Sequence, residues 1–122
     1  MLRAAGRLLP AASIAGIYLL SSLPGSELPP GPGIPHFDKL VHALVYGALL
    51  STFRGWRGLR RAPGEWLPGA IVACLVAAAG DEWHQGAVPS RSPDLLDFLA
   101  DSVGIGLAAL VWSRWAGRAW AS

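Results

Sequence analysis

Four stretches of the chain are almost free of charge: Leu8 to Leu23, Leu40 to Phe53, Trp66 to Gly80 and Ser102 to Ser113. Each is bounded by charged residues or by Pro and Gly, which interrupt a helix. The pattern predicts an all-α protein, an integral membrane bundle of four transmembrane helices forming one domain over residues 1–122. A bilayer core about 30 Å thick takes roughly 20 helical residues. The third run has 15 residues and the fourth 12, or about 22 and 18 Å of helix. Both must therefore borrow from their charged flanks. Arg can reach the surface along its stem, but Asp has a single methylene. Asp81, Asp97 and Asp101 are thus expected at outer-leaflet depth, facing the bundle interior or a water-filled pocket.

Composition agrees with lipid as the solvent. Charged residues make up 15% and hydrophobic ones 52%, whereas a soluble domain carries about a quarter charged. The net charge of +2 does not indicate nucleic acid, because the basic residues punctuate apolar runs instead of sharing a face. Cys74 is the single cysteine, so one chain can hold neither a disulfide nor a paired-cysteine metal site. Arg3, Arg7, Arg54, Arg57, Arg60, Arg61, Arg114 and Arg118 all fall on one side of the four runs. Short loops rich in Arg and Lys stay cytoplasmic, so both termini are expected there. The opposite side holds Lys39 and Arg91 with Glu27, Asp38, Asp81, Glu82, Asp94, Asp97 and Asp101. Arg3 and Arg7 before an apolar run resemble the start of a secretory signal, but no clear small-x-small cleavage site closes it. The segment Pro24 to Pro35 should be an extended outer loop, and Arg54 to Glu65 a basic anchor of orientation.

Helical spacing gives the polar residues a common destination. Lys39, His42 and Tyr46 share one face, and Asp94, Asp97 and Asp101 repeat the same spacing of three and four. Asp81, Glu82 and Gln85 occupy one turn at the end of the third helix. Ionisable groups at membrane depth are costly and mark functional sites. A structural alternative stands beside that reading: Lys39 or Arg91 neutralises Asp81 or Asp97, and His42 makes one structural hydrogen bond. His36 and His84 are expected to be solvated, and Asp94 suits a helix N-cap. Gly104 and Gly106 are expected to allow close packing, and Trp66, Trp83, Trp112, Trp115 and Trp120 to form interfacial belts.

The blocks Asp38-Lys39-Leu40-Val41-His42-Ala43-Leu44-Val45-Tyr46 and Asp81-Glu82-Trp83-His84-Gln85, followed by Arg91, Asp94, Asp97 and Gly104, resemble the VanZ-like family in order and position. The resemblance covers about residues 37–110. It implies a compact multi-pass protein of the bacterial inner (cytoplasmic) membrane, akin to membrane enzymes that process lipid headgroups or lipid-linked cell-wall intermediates. It carries over Lys39, His42, Tyr46, Glu82, Gln85, Arg91, Asp94, Asp97 and Asp101 as a polar pocket. Position 101 is often Asn in that family, and Asp101 adds a charge.

Two functions follow. In one, the protein is an enzyme acting on a phosphate-bearing lipid headgroup at the outer leaflet. His42 is then the general base or nucleophile, suited by an ordinary pKa near 6.5. Lys39 and Arg91 hold phosphate oxygens, while the carboxylates of Glu82, Asp97 and Asp101 are candidates for a hard divalent cation. The Asp-Gly-x-x-Ala-Arg core of CDP-alcohol phosphotransferases is absent. In the other, the same pocket binds a lipid or amphiphile, or stabilises an envelope complex, without catalysis. A homo-oligomer that supplies a second bundle is compatible with either.

Overall fold

A computed structural model describes residues 2–24, 31–57 and 62–120. They form four α-helices: α1 (Leu2–Ser21), α2 (Phe37–Arg57), α3 (Pro63–Gln85) and α4 (Leu95–Trp120). Glu27, Arg60 and Arg61 lie outside the described residues, as do the side chains of Arg3, Arg57, Arg118 and Trp120.

Local chemistry sets the helix ends. Pro63 occupies the first turn of α3, where its missing N–H removes no helical bond, and Ala62 before it is extended at φ −65°, ψ 148°. At the other end the Gly86 N–H turns back to the carbonyls of Trp83 and His84. Ser90, at φ 61°, and its flanking prolines then carry the chain round. Asp94 caps α4 as expected, its Oδ1 accepting the Leu96 N–H at 2.9 Å. Both helices outrun their apolar cores: α3 has 23 residues and α4 has 26. Asp81 and Glu82 are consequently inside α3, and Asp97 and Asp101 inside α4.

Three helices are long and apolar enough to cross a membrane: Ala4–Ser21, Pro63–Gln85 and Leu95–Trp115. α2 is 21 residues long, but Asp38, Lys39 and His42 at one end and Arg54 and Arg57 at the other lower its hydropathy. It occupies the middle of the bundle. Its largest contact is with α4, its next with α1, and it also touches α3, whereas α1 and α4 do not meet among the described residues. The core joins Tyr46, Leu49, Leu50 and Phe53 of α2 to Trp66, Ala70, Cys74 and Ala78 of α3 and Ile105 of α4. Leu19, Leu44, Val72, Val76, Leu107 and Val111 point outward. An apolar exterior of this extent needs lipid or a partner to cover it.

Two expectations about packing need correction. Trp66 is no interfacial residue: it is 4% exposed and meets Trp112 edge to face at 6.0 Å. Trp83, 85% exposed, does lie on the surface. At the opposite end of the bundle the Arg54 guanidinium sits over the rings of Trp112 and Trp115, 4.8 and 4.9 Å from their centroids. The two glycines also separate. Gly104 presses on α2, where an added Cβ would run into the Ala43 carbonyl, but Gly106 faces open space.

Gly104→Ala therefore forces the α2 and α4 backbones apart and should cost about 1–3 kcal/mol, seen as a lower melting temperature in detergent. Gly106→Ala should leave the temperature unchanged or raise it slightly. Equal effects of the two would refute the close α2–α4 contact.

Candidate functional site

The polar residues converge where α1 and α3 end and α2 and α4 begin. Successive turns of α2 carry Lys39, His42 and Tyr46 down one face. Each meets a different acid. The Lys39 ammonium lies 2.5 Å from Asp97 Oδ1, 2.8 Å from Asp94 Oδ2 and 2.9 Å from Asp38 Oδ2. An ammonium has three donors, and here three carboxylates take them. One turn further, His42 Nδ1 is 2.8 Å from Asp101 Oδ1, and its Nε2 is 3.8 Å from Asp97 Oδ1. A turn below that, the Tyr46 hydroxyl donates to Asp81 Oδ2 at 3.3 Å.

Glu82 completes the cluster from α3. Its Oε2 accepts the Asp94 N–H at 2.9 Å, which ties the end of α3 to the cap of α4. The structural reading of Lys39 is thus realised through Asp97 and Asp94, while Asp81 faces Tyr46. Arg91 meets no acid among the described residues. Its Nε donates to the Leu23 carbonyl at 3.2 Å and its Nη2 to that of Leu20 at 3.4 Å, with Gln85 Oε1 at 3.5 Å from Nη1.

Among the described residues, three buried carboxylate oxygens have no hydrogen-bond partner: Asp81 Oδ1, Glu82 Oε1 and Asp101 Oδ2. Asp101 is 0% exposed and Asp81 1%. Neither they nor Glu82 meet a lysine or arginine among the described residues. A carboxylate held away from water and cation is costly. The site therefore has two parts, a neutralised rim of Lys39 with Asp38, Asp94 and Asp97, and an acidic floor of Asp81, Glu82 and Asp101.

Beside that floor, between α1, α2 and α3, is a cavity of about 270 Å³. Ile17, Leu20, Val41 and Val45 form its apolar wall, and Ser21, His42, Tyr46, Asp81, Gln85 and Arg91 its polar lining. Leu20, Val41 and Val45 are also exposed on the outside of the bundle, so the apolar wall is continuous with the outer surface.

A family model described as VanZ/LLP1 matches residues 3–116. The chain belongs to the VanZ/LLP1 family. No curated protein and no solved structure matches it. The family match extends over α1, which the sequence blocks did not cover, and the structure gives that helix of the VanZ-family protein a share in the site. The Tyr18 hydroxyl donates to the Ala77 carbonyl at 2.9 Å. The Ser22 hydroxyl donates to the Tyr18 carbonyl at 2.7 Å, and its oxygen lies 2.9 Å from His84 Nε2. His84 is thus half-buried against Ser22 and the Tyr18 ring instead of solvated, whereas His36 is exposed as expected. The signal for these contacts was present in Tyr18, Ser21 and Ser22, polar residues near the end of an otherwise apolar run.

Asp94 precedes the first residue of α4 and lies outside the membrane-spanning helices. The Lys39 ammonium, and after it the Leu96 N–H, hold its carboxyl below the usual carboxylate range. A group with a depressed folded pKa adds stability above its unfolded value, about 3.9 for Asp, and loses it as pH falls through the folded one. Asp94→Asn should therefore lower the melting temperature near neutral pH, with the gap to the parent protein closing as pH falls below about 5 and through the depressed pKa of Asp94. A gap that stays constant over that range would remove the electrostatic role of the cap.

Proposed function

We propose that this VanZ-family membrane protein takes a phosphate-bearing lipid headgroup or lipid-linked intermediate into the cavity from the outer leaflet of the bacterial inner membrane. In this reading α2 is the fourth span, both termini are cytoplasmic, and the polar end of the bundle faces outward. The supporting observation is the cavity itself. One wall is apolar and continuous with the lipid-facing surface, and the other carries Arg91, whose guanidinium is met only by carbonyl oxygens among the described residues. A cation that donates to neutral acceptors keeps its charge for an anionic ligand. Lys39 is different, since its three carboxylates leave it no free donor. Phosphate recognition thus falls to Arg91, and Lys39 holds the fold. His42 borders the cavity and Asp101 orients its ring, the arrangement required of a general base.

A non-catalytic binder of lipid or amphiphile is the second reading. It is favoured by the same consumption of Lys39, because an ammonium locked between helices serves packing as well as chemistry.

Arg91→Ala should weaken binding of a short-chain phosphatidic acid to the detergent-solubilised protein about tenfold or more, while Arg91→Lys recovers part of it. Phosphatidylcholine binding should not respond. His42→Ala should leave phosphatidic acid binding in place and abolish turnover; retained turnover leaves the binder reading, and binding indifferent to Arg91 removes both. For topology, a cysteine replacing Pro32 should react with a membrane-impermeant maleimide in intact cells, and one replacing Ser122 only after permeabilisation. The reverse pattern would invert the orientation.

A further inference from the structure

The acidic floor has a composition that the lipid reading alone does not explain. An anionic headgroup at Arg91 would approach Asp81, Glu82 and Asp101, and repulsion would oppose it. Within that floor, His42 of α2, Glu82 of α3 and Asp101 of α4 bring one nitrogen and two carboxylate oxygens within 4.8 Å of one another. Asp101 Oδ2 and Glu82 Oε1 are both buried and without partners, and Asp101 is 0% exposed. Neither oxygen has a hydrogen-bond partner among the described residues, so a proton placed on it would lack an acceptor.

We propose that His42, Glu82 and Asp101 bind one divalent transition-metal cation, Zn²⁺ or Mn²⁺ in preference to Mg²⁺ or Ca²⁺. Charge balance is the first argument. A dication held by two carboxylates and a neutral imidazole forms a neutral unit, which removes the cost of two unpaired anions in a low-dielectric bundle. Ligand type is the second, because an imidazole nitrogen suits transition cations and disfavours Mg²⁺ and Ca²⁺. Three protein ligands on three helices also leave a coordination position open toward a ligand. Donor atoms around tetrahedral zinc are about 3.4 Å apart, so the set must contract, and the half-buried Glu82 has the torsional freedom to close it.

Asp97 is not in the set. Glu82, Asp97 and Asp101 were the carboxylates expected as candidates for a cation, but Lys39 occupies Asp97 Oδ1, and His42 takes its place. With the cation bound, His42 would be a ligand in place of a general base, and the metal would supply Lewis-acid chemistry to a phosphate oxygen. That final step rests on the lipid-phosphate reading; cation binding itself does not.

The test is calorimetric titration of the full chain in detergent micelles, with any histidine tag removed and metal stripped by chelator, using ZnCl₂, MnCl₂, MgCl₂ and CaCl₂ separately and no lipid. The expected result is one Zn²⁺ or Mn²⁺ per chain, with affinity falling as pH drops because the cation competes with protons for His42. Glu82→Gln and Asp101→Asn should each weaken binding at least about tenfold. Arg91→Ala, which disables the lipid reading, removes a nearby positive charge and should not weaken cation binding. If Asp101→Asn does not yield a monodisperse protein, Glu82→Gln and His42→Gln decide. Binding that fails to saturate, that survives these substitutions, or that is tightest for Mg²⁺ or Ca²⁺ would overturn the proposal.

Discussion

The Lys39 ammonium anchors one end of the bundle. It sits in the first turn of α2 and bridges to Asp94 and Asp97 at the start of α4, with Asp38 of its own helix as the third acceptor. Lys39 and Asp97 are largely withdrawn from water, where an ion pair is favourable only when nearly every donor and acceptor is used, and the more exposed Asp38 and Asp94 take the other two donors. The clamp acts on the helix pair that already has the largest contact, and Gly104 lets those helices approach until backbone meets backbone at Ala43. With the ends pinned and the crossing point fixed, the register of α2 on α4 is set. One turn below the clamp, His42 is then opposite Asp101. A turn beyond that, Tyr46 reaches Asp81 across the core. The site is a consequence of how the helices are locked.

Much of this could be read from spacing alone. Residues three and four apart share a helix face whatever surrounds them, so the ladder Lys39, His42, Tyr46 and the ladder Asp94, Asp97, Asp101 were recoverable from the chain. The short apolar runs were equally informative, because the extension of α3 and α4 into their acidic flanks is what carries Asp81 and Asp101 into the interior. Partner choice was not recoverable. Periodicity assigns a face but not an axial offset between helices, and that offset decides that Lys39 takes Asp97 while Asp81 is left to Tyr46. The same limit explains the tryptophans. An aromatic near a helix end can face lipid or core, and Trp66 turned inward because Trp112 and the small residues of α3 leave it a place. For the same reason Gly104 and Gly106, two residues apart, could not be told apart until the crossing point was known.

α1 marks a different limit. Its sequence shows a membrane helix with a few polar residues near its end, but much of that end is used through backbone carbonyls. Arg91 reaches the oxygens of Leu20 and Leu23, and Tyr18 reaches that of Ala77. Such contacts leave little trace in residue identity, since any residue supplies a carbonyl. Their effect is nonetheless specific. They hold the end of α1 against the turn after α3, and they form the wall of the cavity that α2 and α3 alone would leave open.

The division of the acids then has a physical reason. If Lys39 lay deeper it would neutralise Asp101 and leave Asp94 and Asp97 at the rim, where water and the α4 N-terminus can stabilise them without help. Its actual position does the opposite: the ammonium serves the more exposed acids, and buried Asp81 and Asp101 are left to the Tyr46 hydroxyl and the His42 ring, each with one oxygen unpartnered among the described residues. A fold selected for stability alone would gain by exchanging those acids for apolar residues, because a buried carboxylate with only one oxygen hydrogen-bonded costs more than a methyl group in its place. The arrangement makes sense when the rim is regarded as the structural half, complete in itself, and the floor as the half whose charge is satisfied by something the chain does not supply. The aromatic and aliphatic packing beneath Tyr46 closes the inner side of that floor, and the lower dielectric there raises both the cost of an unsatisfied carboxylate oxygen and the strength with which a cation would be held.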